Sequence, residues 1–178
     1  MQNAKQVELW RLENMEKIES LIFEMIQFDS GEPELIHHFL KVHNFAKLIG
    51  SMENISPDLM EVLEAAAVVH DIGIKISLEK YGTCNGKLQE QEGPAYAEEL
   101  LNKVGFAKGI VERVSYLVAH HHTYTNIDEM DYRILVEADF LVNLYENQSN
   151  RETIENTYNR IFRTESGRKL CEHIYLNK

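Results

Sequence analysis

The sequence predicts an all-α fold in a single domain. Residues that interrupt helices are scarce, with three prolines and nine glycines in 178 residues. The alternation of apolar and polar residues that marks half-buried strands is weak, whereas apolar residues often recur at intervals of three and four. The length suits one domain, and an apolar fraction of 44% is enough for a sizeable core.

Three helices are predicted in the N-terminal part of the chain, over residues 5–28, 33–50 and 57–70. Pro33 stands at the start of the second helix, where the first turn tolerates a residue without an N–H group. Ser56 is the expected N-cap of the third helix, and Pro57 is its expected first residue. These start signals agree with the apolar periodicity that follows each of them.

The stretch from Asp71 to Lys87 is predicted to be a loop, because it has three glycines and little periodicity. A loop of this length inside a compact domain is often functional. Five further helices are predicted, over residues 88–103, 107–122, 129–147, 151–163 and 165–176. The last two form a helical appendage, residues 151–176, on a core of about residues 33–147.

The composition limits the classes of partner. A formal net charge of −11 opposes binding to duplex nucleic acid, whose affinity comes largely from Lys and Arg on phosphates. It leaves room for a small phosphorylated substrate, because a bound metal can reverse the local field. No apolar run approaches the ~18 residues of a membrane span. The charged N-terminus and the distant Cys84 and Cys171 indicate a cytoplasmic protein without a disulfide framework.

Several predicted helices direct polar, metal-competent side chains toward the core. His38 lies on the apolar stripe of the second helix, whereas His37 falls to one side. His70 ends the stripe of the third helix, Asp71 follows it, and Asp139 shares an apolar face of the helix over 129–147. A single histidine on such a face is more often a hydrogen-bonded core residue, and a single aspartate can cap a helix or pair with an arginine.

The two aspartates make the metal interpretation stronger. A buried unpaired carboxylate costs several kcal/mol in practice. No Lys or Arg lies on the stripes that carry Asp71 and Asp139. A bound cation would supply the missing positive charge, and the histidines would complete its shell.

Three motifs together resemble the HD superfamily of metal-dependent phosphohydrolases: "LIHHFLKVHNFAKLIG", "AAAVVHDIGI" and "ILVEADFLVN". The resemblance spans about residues 33–147 and implies a helical bundle with a bound divalent metal. It assigns metal ligation to His38, to the His70–Asp71 pair and to Asp139. Mixed imidazole and carboxylate ligands suit Mn, Fe, Co, Ni or Zn better than Ca, and Mg also stays open.

The sequence departs from better-known branches of the family in two places. Where several subfamilies have a lysine directly after "HDIG", this chain has Ile74, and Lys75 follows one residue later. Gln89 stands where branches with two metals often carry a histidine, so either Glu90 or Glu92 substitutes for it or the second metal is absent.

The resemblance implies hydrolysis of a small phosphoester by a metal-activated water. His121 and His122 of the "HHH" run are favoured over His120, to hold the phosphate or protonate the leaving oxygen, and Lys75 or Lys87 can pair with the phosphate. Together with Asp71, the residues His121, His122 and Lys75 form the predicted catalytic set. The alternatives are a di-iron HD-type oxygenase, a non-catalytic nucleotide-binding module and a purely structural helical protein. A homodimer through the first helix also stays open.

Overall fold

The computed structural model describes residues 16–177, and this part of the chain is helical, with no strand. Its α-helices are α1 (Lys17–Phe28), α2 (Pro33–Met52), α3 (Pro57–Val69), α4 (Gly73–Tyr81), α5 (Gly86–Val104), α6 (Lys108–Val118), α7 (Met130–Glu146), α8 (Arg151–Arg160) and α9 (Glu165–Cys171). A single π-helical turn, Glu172–Leu176, follows α9. The all-α prediction is confirmed, and none of the described helices is long and apolar enough to cross a membrane.

Helix α3 is the centre of the bundle. Every residue from Val62 to Val69 is buried, so this helix is apolar around most of its circumference, as expected of a core helix. The small side chains of residues 65–67 let neighbouring helices approach closely. Helices α1, α2, α6 and α7 all pack against α3. The C-terminal end of α3, where His70 and Asp71 lie, is therefore surrounded by the other core helices.

The predicted helix starts agree with the structure where it describes them. Pro33 occupies the first turn of α2. The Ser56 hydroxyl accepts a hydrogen bond from the backbone N–H of Leu59 at 3.3 Å, as an N-cap does. Helix α1 begins at Lys17, and its N-cap Glu16 is extended, so the predicted helix over 5–28 is not continuous at this residue. Residues 5–15 of that prediction lie outside the described residues.

The predicted loop over residues 71–87 was wrong, because residues 73–81 form helix α4. Ile72 and Ile76 are buried one turn apart and anchor this segment to the core. The helix ends at Gly82, whose φ of +67° is the left-handed conformation that favours glycine at a C-terminal cap. Ile72, Ile74, Ile76 and Leu78 occupy every second position, so the sequence of this segment does not show a helical period.

The predicted helix over 107–122 was too long. Helix α6 ends at Val118, and the three consecutive histidines lie in the turn that follows it. The helix over 151–163 ends earlier, at Arg160, and the last predicted helix is divided between α9 and the π-helical turn. The buried Glu137 carboxylate of α7 accepts hydrogen bonds from the backbone N–H groups of Arg163 and Thr164, at 2.6 and 2.9 Å. These bonds attach the C-terminal helices to the core.

We expect Gly73→Ala to destabilise the protein, because α4 packs closely on α5 at this point. A Cβ atom on Gly73 would lie 2.6 Å from the backbone oxygen of Gln89, so one helix would have to move. Forced movement of this kind costs about 1–3 kcal/mol, which corresponds to a fall in Tm of several degrees. The measurement is thermal unfolding of the metal-free protein.

Gly109→Ala is the matched control, since a Cβ atom there would meet nothing within 4 Å. Alanine is the better helix former, so this variant should unfold at the same temperature or slightly higher. An unchanged Tm for Gly73→Ala would contradict the close approach of α4 and α5.

Candidate metal centre

The structure brings the four predicted ligands together from three helices. His38 comes from α2, His70 and Asp71 come from the end of α3, and Asp139 comes from α7. The His38 Nε2 atom lies 3.3 Å from His70 Nε2, 3.3 Å from Asp71 Oδ2 and 3.2 Å from Asp139 Oδ1. Atoms that share one ion at about 2.1 Å lie about 3.0–3.4 Å apart. The donor atoms of His38, His70 and Asp71 lie within 4.8 Å of one another, as three ligands of one ion would. Asp139 Oδ1 adjoins this group, at 3.7 Å from His70 Nε2.

The orientation of the histidine rings also fits a metal. In His70 the Nδ1 atom lies 3.0 Å from the carbonyl oxygen of Ala67, and in His38 it lies 2.8 Å from Glu146 Oε2. Both partners accept hydrogen bonds, so Nδ1 carries the proton in each ring. The Nε2 atoms therefore face the centre of the cluster, where each can bind a cation once it carries no proton.

The charges within the cluster balance one another in the metal-free protein. Burial lowers the pKa of His38, but hydrogen bonding to Asp139 and the charge of Asp71 outweigh burial and raise that pKa to about 9. Burial raises the pKa of Asp71, but the charges of His70 and His121 outweigh it and hold that pKa well below its usual range. The pKa of Asp139 is also lowered, against the effect of burial, by hydrogen bonds to His38 and His70. In the metal-free protein the charged His38 ring therefore supplies the positive charge that a bound metal cation would supply instead.

A second group of donors adjoins the first and shares Asp71 with it. The Asp71 Oδ1 atom lies 3.3 Å from His121 Nε2, and donor atoms of Asp71, His121 and His122 all lie within 4.8 Å of one another. In this group His122 Nε2 is engaged by Gln89 Oε1 at 2.9 Å. Because an amide oxygen only accepts, His122 Nε2 carries a proton and faces Gln89 as a donor.

The turn that carries these histidines is fixed by several hydrogen bonds. Glu90 Oε1 accepts from the backbone N–H of His122 and from the hydroxyl of Thr123, both at 3.0 Å. The buried Tyr132 hydroxyl lies within hydrogen-bond distance of the carbonyl oxygens of His120 and Thr123 and donates its one hydrogen between them. These contacts hold residues 120–123 in place although helix α6 has already ended.

Arg113 provides the outer support for the same region. Its guanidinium donates to both oxygens of Asp128 and to both oxygens of the fully buried Asp131, at 2.7–2.8 Å. Hydrogen bonds from Arg113 lower the pKa of Asp128 to about 2. Arg113 thereby fixes the C-terminal end of the segment between α6 and α7, where Asp128 lies, and the first turn of α7, where Asp131 lies.

Other predicted residues lie away from the cluster or are already paired. His120 stacks on Tyr116 with ring centroids 4.2 Å apart, in agreement with the preference for its two neighbours. Lys75 donates to the carbonyl oxygen of Phe28 at 2.6 Å. Lys87 is exposed. Glu92 is paired with Lys80 at 2.5 Å and accepts a hydrogen bond from the Tyr81 hydroxyl at 2.8 Å.

Two residues that contact the site, Glu146 and Tyr124, were not predicted from the sequence. Glu146, which contacts His38, follows Asp139 by two helical turns, and this spacing on one helix face could have identified it. Tyr124 places its hydroxyl 3.3 Å from His122 Nδ1 and its ring against Phe140, with centroids 5.2 Å apart. No periodic signal points to Tyr124, because it lies in the turn beyond α6.

Comparisons with known proteins agree with this architecture. The family model described as HD domain matches residues 35–158. Among solved structures, a predicted HD superfamily hydrolase from an uncultured Thermotogales bacterium is 27% identical, with a TM-score of 0.60. That match covers 89% of this chain and 83% of the other. No curated protein matches the chain.

We expect divalent-metal binding to release a proton at neutral pH. The pKa of His38 is raised to about 9 in the metal-free protein, and Nε2 must lose its proton to bind an ion. Metal affinity should therefore increase with pH up to about 9. Calorimetric titrations in buffers of different ionisation enthalpy measure this release, and His37→Ala, at the exposed neighbouring position, is the control. A binding enthalpy that is independent of the buffer would contradict the charge assignment.

We expect Glu90→Ala to loosen the histidine turn. The substitution leaves the backbone N–H of His122 and the hydroxyl of Thr123 without their acceptor, at a cost of about 1–3 kcal/mol. Amide hydrogen exchange at His122 should accelerate. Glu92→Ala is the control, because Glu92 pairs with Lys80 and Tyr81 instead. Equal exchange rates in both variants would contradict a role for Glu90 in holding the turn.

Proposed function

This chain belongs to the HD domain family, and from that premise we propose that it is a divalent-metal-dependent hydrolase of a small phosphoester. The observation that carries the proposal is the convergence of His38, His70, Asp71 and Asp139. The donor atoms of His38, His70 and Asp71 are spaced for one ion, and Asp139 Oδ1 lies beside them, 3.2 Å from His38 Nε2. The HD superfamily hydrolase found among solved structures supports the same reaction class.

The four clustered residues would hold the ion, and each has a distinct place around it. When bound, a divalent ion would lower the pKa of a water molecule and offset charge on the phosphoryl oxygens. Asp71 serves both groups of donors, because its Oδ2 atom faces His38 and its Oδ1 atom faces His121. A substrate held beside Asp71 would therefore meet the metal ligands on one side and two histidines on the other.

His121 is suited to donate a proton. Burial lowers its pKa, but the hydrogen bond to Asp71 and the charge of that carboxylate outweigh burial and raise the pKa. Its Nδ1 atom is fixed by the carbonyl oxygen of Val118 at 2.9 Å, which leaves Nε2 toward the site. We assign to His121 the protonation of the leaving oxygen.

His122 is suited to a different task. Burial and the positive charge of His121 lower the pKa of His122 to about 4, so its ring is neutral near pH 7. A neutral ring with a proton on Nε2 can donate a hydrogen bond to a phosphoryl oxygen without supplying a full charge. In this proposal Gln89 holds that proton donor in place until a substrate arrives.

The Gln89–His122 contact favours one ion over two. A second ion held through His122 Nε2 would have to displace the contact of this atom with Gln89 Oε1, at 2.9 Å. The contact supports the hydrolase over a di-iron oxygenase, which requires a second complete set of ligands. The presence of all four residues of the first set supports catalysis over a binding-only module.

The substrate in this proposal is a small phosphorylated metabolite. Tyr124 is 40% exposed and adjoins His122, so its ring is available for contact with an apolar or aromatic part of the substrate. Lys75 lies at the start of α4 and stays a candidate for phosphate contact if it leaves the Phe28 carbonyl. We propose a cytoplasmic location because no membrane or duplex nucleic acid is needed.

We expect His38→Ala and Asp139→Ala to lose the metal and phosphoester hydrolysis together while remaining helical. Metal-ion stabilisation supplies several kcal/mol, so the rate should fall by more than about 100-fold. The measurements are ions per chain, circular dichroism and turnover of a panel of phosphomonoesters and phosphodiesters. His37→Ala should keep both the metal and the activity. Full activity in metal-free Asp139→Ala would contradict the proposed function.

A further inference from the structure

Glu146 is the acidic residue in contact with the outer nitrogen of His38. It is the last residue of α7, and its side chain is 30% exposed. Its Oε2 atom lies 2.8 Å from His38 Nδ1. Its other oxygen forms an ion pair with Lys41, which is one turn beyond His38 on α2. The carboxylate thus connects a buried site residue to the protein surface.

One face of α7 carries both a candidate ligand and groups that orient the cluster. Asn143 follows Asp139 by about one turn and donates to Asp139 Oδ1 at 2.7 Å. Glu146 follows by about two turns and reaches across to α2. Successive turns of the helix therefore position Asp139, its own hydrogen-bond donor and the acceptor for His38.

The contact between His38 and Glu146 determines which nitrogen of the neutral His38 ring can bind a metal ion. An ionised carboxylate has no proton to give, so the hydrogen in this bond must be on His38 Nδ1. The neutral ring is then locked with its lone pair on Nε2, which faces Asp71, Asp139 and His70. Without the carboxylate, a neutral ring could instead carry its proton on Nε2, where it would oppose a cation.

We propose that Glu146 is a positioning residue for the metal, which acts by holding His38 in the tautomer and ring orientation that bind the ion. The inference rests on the proposed function, because it requires an ion at the four-residue cluster. Lys41 holds the second carboxylate oxygen but does not contact the cluster. Carboxylate partners of ligating histidines typically contribute about 10- to 100-fold to metal affinity.

The test is a cobalt(II) titration of chelator-treated protein, followed through the visible absorption bands of the bound ion. These bands report both affinity and ligand geometry. Glu146→Ala should weaken binding by about 10- to 100-fold and change the bands. Glu146→Gln keeps an oxygen that can accept from Nδ1–H, so it should bind cobalt more tightly than the alanine variant and less tightly than the wild type. Circular dichroism and Tm establish that both variants fold.

Two further variants separate orientation of His38 from simple stabilisation. Lys41→Met removes the ion pair but leaves the His38 contact, so it should bind cobalt nearly as the wild type does. Glu155→Gln is the matched surface control, since Glu155 pairs with Arg151 at 2.6 Å on α8, and it should change nothing. If Lys41→Met reproduced the effect of Glu146→Ala, the ion pair would be responsible and the positioning role would be overturned.

The outcome in the wild type separates this inference from the proposed function. If the wild-type protein binds cobalt and Glu146→Ala binds it equally well with the same bands, only the positioning role is overturned. If the wild-type protein takes up no cobalt, the metal centre itself is wrong, and the role of Glu146 is wrong with it. Graded affinities in the order wild type, glutamine variant and alanine variant are the expected result.

Discussion

Two carboxylates beside an apolar core set the main constraint on this fold. Asp139 is 5% exposed, and the Asp71 side chain is 18% exposed. Charges in such surroundings are tolerated only where opposite charge and hydrogen-bond donors compensate for lost hydration. Three histidines meet this need in the metal-free protein, and a divalent ion would meet it more completely. His38 lies on α2 and His121 follows α6, two helices that pack against α3, and His70 lies at the end of α3 itself.

In this site, hydrogen bonds determine which nitrogen of each histidine ring faces the two aspartates. His38, His70 and His121 each direct Nδ1 to an acceptor and Nε2 toward an aspartate. His122 has the opposite arrangement, because Gln89 engages its Nε2 atom. Three imidazoles thus present Nε2 to the aspartates. The fourth, His122, is neutral near pH 7 because burial and the charge of His121 lower its pKa to about 4.

The sequence correctly predicted those features that depend on the periodic spacing of apolar residues along a helix. The apolar stripes of α2, α3 and α7 were visible, and with them the inward direction of His38, His70 and Asp139. Helix α4 was missed because it is short and its isoleucines and leucine alternate with other residues, which is not a helical period. The end of α6 was misplaced because the turn that follows depends on Glu90 and Tyr132, which lie far away in sequence. The contact of Glu146 with His38 joins residues 108 positions apart, and only the spacing of Glu146 from Asp139 on one helix face points to it.

The central claim is that one ion is held by His38, His70, Asp71 and Asp139. The most direct test is an anomalous difference map from crystals of metal-supplemented protein, collected above the absorption edge of the bound metal. The account predicts one strong peak among the His38 and His70 Nε2 atoms and the two aspartates. No peak there, or a second peak of equal height beside His121 and His122, would contradict it.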